Sequence, residues 1–354
     1  MTKMSKLNQL STFCVAITVI LTANCQDFGY DGAFGPKHWG EQYNSCDGKK
    51  QSPINIDLSH VTKWSFPPLI FDRFDMFPES TEIKNNGHTV IVTMNFQEAP
   101  KISGGPLNGS YKFSQFHFHW GENDTFGSED TIDNQSFPVE LHMVFFHSKY
   151  DSFSEALHYN NGLTVLAFFY YVEGEANKNY KELTKLLRTI TEPMQQTLFR
   201  TPITMFDLMS SNLNKYYTYF GSLTTPPCSE VVTWIDFAVP IPITPIQIQD
   251  FRALNGYHGP IGHNFRPVQP LNDRTVFENV PLSETNTLNQ GKHPIPNINT
   301  NDIDMDSEED EEIVPGSIGD IEPVFKDYRK ENTASITSIG NICLALTLIA
   351  ASLF

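Results

Sequence analysis

YKFSQFHFHW runs from residue 111 to residue 120, and its reading as a core strand decides the fold. Successive side chains of a strand point to opposite faces. Gln115, His117 and His119 therefore share one face, and Phe116, Phe118 and Trp120 share the other. The aromatic row reads as core. The opposite row is harder to account for, because a histidine costs more to bury than a phenylalanine. Two imidazoles two residues apart are either packed core histidines or a pair of ligands for one metal ion, and the spacing alone leaves both readings open.

The next strong strand is VELHMVFF, residues 139–146, where Glu140 and His142 share a face. If it pairs antiparallel with the first strand, His142 completes a three-histidine set. A catalytic zinc takes three protein ligands and keeps the fourth position for water. Three neutral histidines leave the ion's charge uncompensated, which favours ionisation of that water. Each strand also carries a polar residue two positions before a histidine, Gln115 before His117 and Glu140 before His142. Metal-bound histidines usually donate their other ring hydrogen to such an acceptor. The alternative for Glu140 is a surface carboxylate on a half-exposed strand.

Around these strands the chain keeps the same character. Alternating or aromatic runs recur at 89–96, 163–172, 216–220 and 231–237, separated by Gly, Pro, Asn and Asp clusters that read as turns. Helical stretches are few: 152–160, 180–188 and 245–253. One sheet-dominated domain without internal repeats is expected over residues 26–283. Residues 284–332 are rich in Asn, Thr, Pro, Asp and Glu and read as a flexible acidic stalk, with eight acidic residues between Asp302 and Glu312. That run accounts for about half of the formal net charge of −17, which argues against a nucleic-acid partner. Solvation and reach explain the stalk; weak cation binding is the other reading.

The ends read as targeting segments. Lys3 and Lys6 precede an apolar run at 13–21, and Ala23-Asn24-Cys25 resembles a cleavage site, so residues 1–25 are expected to be a secretory signal rather than a buried helix. Residues 339–354 are apolar and uncharged, behind small residues that include Asn332, Thr333, Ala334 and Ser335. This is the pattern of a GPI-anchor signal over residues 333–354, with Asn332 the expected attachment residue. It points to the extracellular face of the plasma membrane through a lipid anchor; a single C-terminal transmembrane segment or plain secretion are the alternatives. Of five cysteines, Cys14 and Cys25 leave with the signal and Cys343 with the tail. Cys46 and Cys228 remain, and in an oxidising compartment they are expected to pair. Closing a loop of about 180 residues contributes about 4–5 kcal/mol in the chain-entropy model. Asn108, Asn123 and Asn134 open glycosylation sequons.

Several motifs now stand in order: QSPINI (51–56), NNGHTV (85–90), QFHFHWG (115–121), GSE (127–129), VELHMV (139–144), GSLTTPPC (221–228), VTW (232–234) and NFRPVQPLNDR (264–274). In these motifs the chain closely resembles the alpha-class carbonic anhydrases, of the secreted or GPI-anchored type, over residues 28–274, essentially the whole globular domain. The resemblance implies an α+β fold, a single domain around a large, twisted, mostly antiparallel central sheet with short peripheral helices. It also implies reversible hydration of carbon dioxide to bicarbonate and a proton, by attack of a zinc-bound hydroxide. Residue by residue, His117, His119 and His142 resemble the zinc ligands. Gln115, Glu140 and the backbone carbonyl of Asn264 resemble the acceptors behind them. Thr224 resembles the residue that gives its hydrogen to Glu129 and directs the hydroxide, and its N–H the group that holds a substrate oxygen, with Thr225 beside it. Val144, Val165, Leu223 and Trp234 resemble the apolar wall that receives the gas, and His88 the proton shuttle, with Tyr30 and Asn86 along a water path. Cys46 and Cys228 match the disulfide of secreted members.

Two positions and one segment depart from the family's pattern. Ile91 stands where a polar side chain is common, Phe28 where a tryptophan is common, and LTVLAFF (163–169) is bulkier than usual after Val165, an effect expected at the rear of the sheet. His38, His60, His147, His158, His258, His263 and His293 read as ordinary histidines. Members that have lost zinc ligands serve as binding modules, and an acidic stalk suits a mineralising surface. The intact set of three histidines, Thr224 and Glu129 sets this chain with the enzymes.

Overall fold

The β-branched and aromatic residues of these runs suit a pleated, half-buried surface. In the computed structural model, which describes residues 28–280 apart from Ala176, they join in one twelve-stranded sheet. From one edge its strands run Gln196–Leu198, Ser80–Asn85, Val90–Asn95, Tyr111–Trp120, Val139–His147, Leu163–Val172, Val232–Ile243, Tyr216–Gly221, Phe277–Asn279 and Thr62–Trp64. Leu69–Asp72 and Lys101–Gly104 pair with each other and attach beside the start of the Tyr111–Trp120 strand. Pairing within this sheet is antiparallel except between Leu163–Val172 and Val232–Ile243 and between Phe277–Asn279 and Thr62–Trp64. The mostly antiparallel α+β architecture is as expected. The signal, the stalk, Asn332 and the C-terminal tail lie outside the described residues.

Each face of the sheet has its own core. Behind it, Phe116, Phe118, Trp120, Leu141, Met143 and Phe145 pack with Leu166, Phe168, Ile235 and Phe237. Two helices, Lys181–Leu187 and Pro245–Arg252, cover that face through Leu183, Leu187, Ile248 and Phe251. The Phe251 ring lies 5.0 Å from Phe118 and 5.5 Å from Trp120. Burying each large apolar side chain there contributes about 1.5–3 kcal/mol. In front, a smaller cluster gathers Ile54, Ile56, Val144, Val165, Ala167, Val232 and Trp234.

Three local expectations change. The 152–160 helix is only Phe153–Ala156. Ser152 caps it, accepting from Glu155 N at 3.1 Å, but the chain then tightens into turns. Gly162 passes so close that a Cβ there would lie 1.7 Å from Ala156 O, which leaves no room for another helical turn. The strand expected at 231–237 continues to Ile243, through Pro240 and Pro242. Its partner Tyr216–Gly221 ends opposite Phe237, so the prolines stand where one side is unpaired and no ladder N–H is needed. Finally, the bulk of LTVLAFF is not confined to the rear. Leu166 and Phe168 point there, but Phe169 falls opposite Glu140, and its ring stacks on Phe137 at 4.7 Å.

Candidate metal centre

Register brings the histidines together. His117 is paired directly with His142 across the antiparallel ladder, and His119 follows two residues along. One ring nitrogen from each of the three lies within 4.8 Å of the others. The opposite nitrogens are all engaged. His117 Nδ1 is 3.1 Å from Gln115 Oε1, His119 Nδ1 is 2.7 Å from Asn264 O, and His142 Nε2 is 2.7 Å from Glu140 Oε1. A carbonyl or carboxylate oxygen only accepts, so those ring nitrogens carry the hydrogens. The lone pairs are therefore left on His117 Nε2, His119 Nε2 and His142 Nδ1.

Burial holds all three rings neutral. It lowers His117 and His119 well below the usual histidine range, helped at His117 by His119 and His142 and at His119 by His142, and it takes His142 down to about 3. Neutral imidazole is the ligating form. His119 Nε2 is a buried polar atom with no hydrogen-bond partner among the described residues, which is costly unless something else occupies it. Three imidazole lone pairs converging on one point, each ring braced from behind, fit a zinc ion.

A second layer surrounds them. Glu140 Oε2 accepts from the N–H groups of Glu129 and Asp130 at 2.8 and 3.1 Å, while burial pushes its carboxyl up to about 8. Glu129 is fully buried. Burial raises its carboxyl, against the opposing hydrogen bonds from Arg266 N and the Thr224 side chain. Its Oε1 accepts from Arg266 N at 2.8 Å, and its Oε2 lies 3.3 Å from His119 Nε2 with no donor among the described residues.

Beside the histidines stands an apolar wall. Val144, Val165 and Trp234 are direct neighbours across three strands, and Leu223 packs on the same cluster. The Trp234 ring is 4.8 Å from His142. Thr224 is buried and Thr225 half-buried in the loop that ends at Cys228, which is bonded to Cys46. This disulfide, S–S 2.06 Å, fastens the loop to the small cluster of Phe28 and Trp39. His88 stacks on Phe28, with centroids 4.0 Å apart, and Tyr30 lies 6.1 Å from Phe28. Asn86 Oδ1 accepts from His88 N and Thr89 N, so that oxygen serves its own turn. Ile91 pairs with His117 across the sheet. Asn108 and Asn134 are exposed and Asn123 is half-buried.

Two contributions escaped the sequence reading. The side chain of Asn264 accepts from Trp120 N at 2.7 Å and donates to Phe118 O at 3.0 Å and His88 O at 3.2 Å. Arg266, besides bracing Glu129 through its N–H, sends its guanidinium to Gln51 Oε1, Ser52 O and Cys46 O. Both stand in NFRPVQPLNDR; the motif was the signal, but the partners are more than 130 residues away.

The eukaryotic-type carbonic anhydrase family matches residues 34–280. Carbonic anhydrase 15 of Mus musculus is 36% identical over 265 residues, 71% of this chain and 82% of its own length. Carbonic anhydrase 7 of Homo sapiens is 38% identical over 262 residues, 70% of this chain and 96% of its own length. The chain belongs to the eukaryotic-type carbonic anhydrase family, and its activity is the hydration of carbon dioxide.

Proposed function

We propose that the enzyme is a zinc-dependent carbonic anhydrase of the cell surface, with His117, His119 and His142 as the metal ligands. The observation that carries this is the braced trio itself: three neutral imidazoles whose hydrogen-bearing nitrogens face Gln115, Asn264 O and Glu140, and whose other nitrogens converge. When bound, zinc supplies Lewis acidity that brings the pKa of a coordinated water to about 7, the chemistry established for carbonic anhydrases. The remaining work falls to the chain. A nearby cation keeps Glu129 ionised. Glu129 can then only accept, so the Thr224 hydroxyl donates to it and offers its own oxygen as an acceptor towards the reacting oxygen. The Thr224 N–H, with Thr225 beside it, holds an oxygen of carbon dioxide or bicarbonate. Val144, Val165, Leu223 and Trp234 give an uncharged, linear gas a dry surface to lie on. His88 relays the released proton to buffer, since a histidine titrates near neutrality and works in both directions.

The test is metal content with stopped-flow hydration. His119→Ala should lose both zinc and activity, and an active, zinc-replete variant would sink the assignment. Cell-surface attachment through a lipid is proposed from the signal, the tail, the sequons and the disulfide; no helix among the described residues is long and apolar enough to cross a membrane. Phosphatidylinositol-specific phospholipase C should release the protein from cells, whereas retention would favour a spanning segment.

A further inference from the structure

We propose that Tyr257 is a positioning residue that holds the His88 ring for proton transfer; this rests on the reading of His88 as the relay. Tyr257 stands at the tip of a two-residue hairpin between the short strands Asn255–Gly256 and Gly259–Pro260. The hairpin is laid directly onto the turn that carries His88. Tyr257 N donates to Gly87 O at 3.3 Å, and Asn85 Nδ2 donates to Asn255 O at 2.9 Å. Two glycines make the approach possible. A Cβ on Gly87, whose φ is +90°, would lie 2.1 Å from the Tyr257 ring, and one on Gly256 would lie 2.5 Å from Gly87 O.

The result is an aromatic clamp. The face of His88 stacks on Phe28 at 4.0 Å with an interplanar angle of 9°. Tyr257 meets the same ring edge-on, with centroids 5.4 Å apart at 64°. The backbone of His88 is fixed as well, by Asn86 Oδ1 on its N–H and Asn264 Nδ2 on its carbonyl. With the backbone pinned and one face stacked on Phe28, Tyr257 meets the ring from a second direction and narrows its rotation. Tyr257 is itself 49% exposed, so truncating it removes little from the core.

The test uses the full-length protein and stopped-flow hydration at low and high buffer. Proton release to buffer follows departure of bicarbonate, so a positioning role for His88 shows in kcat and not in kcat/KM. Tyr257→Ala should lower kcat in dilute buffer by about three- to ten-fold, leave kcat/KM unchanged, and recover on addition of imidazole. Tyr257→Phe, which keeps the ring, should behave as the parent. His88→Ala is the companion. If it lowers kcat while Tyr257→Ala does not, or if Tyr257→Phe falls as far as Tyr257→Ala, or if kcat/KM falls in step with kcat, the clamp is overturned. If His88→Ala is itself without effect in dilute buffer, the relay reading falls, and this proposal with it.

Discussion

Glu140 and Asp236 lie on the same side of the sheet and are both fully buried, yet the fold treats them oppositely. Glu140 Oε1 meets His142 Nε2, and its Oε2 takes two backbone N–H groups. Neither carboxylate oxygen of Asp236 has a hydrogen-bond partner among the described residues. Its neighbours across the ladder are Ala167 and Tyr217. Burial raises both carboxyls, Glu140 to about 8 and Asp236 well above its ordinary range, where Asp130 and Glu140 push it further. A buried carboxylate supplied with donors, and facing a histidine that a metal ion makes more acidic, can stay charged and orient that histidine. One without donors must keep its proton. Donor supply, more than burial, separates the working carboxylate from the tolerated one.

Substitutions sharpen that contrast. Glu140→Ala removes the brace from His142 and should weaken zinc affinity about 10- to 100-fold, read by competition with a chelator; unchanged affinity would remove Glu140 from the centre. Asp236→Val keeps the volume and removes the unpartnered group, and should stabilise the fold by about 1–3 kcal/mol near neutral pH, seen as a higher Tm. The sign follows from linkage. The folded chain keeps a proton on Asp236 that the unfolded chain releases above about pH 4, so the stability from this group is complete only at low pH and is lost as pH rises. The advantage of the valine variant should therefore grow from pH 4 to pH 8; a pH-independent difference would mean that Asp236 is ionised in the fold. Gln115→Leu should have the smallest effect, a less than ten-fold loss of zinc affinity, because its 3.1 Å contact with His117 is longer and its acceptor uncharged.

Much of the centre was legible because it is local. The faces of residues 111–120 follow from a period of two, and Gln115 and Glu140 were found because their histidines stand two residues along the same strand. The helix at 152–160 was overestimated because Gly162 sits beside Ala156 O only after the next strand is in place. The extension through Pro240 and Pro242 was invisible because its licence is the end of a neighbouring strand. Asp236 gave no warning, since an acidic residue in a strand announces neither the absence of donors nor the presence of Asp130 and Glu140.

By itself the sequence determined which residue types face which way along each strand, the aromatic row that packs and the histidine row that does not, together with the pairing of Cys46 with Cys228. Those follow from backbone geometry and from counting thiols. The tertiary structure decided what stands behind and beside them. It set His117 opposite His142, brought Asn264 to His119, Trp120 and His88, aimed Arg266 N at Glu129, and laid Tyr257 over Gly87. These contacts join segments far apart in the chain, so they exist only once the sheet has closed and its two faces have been packed.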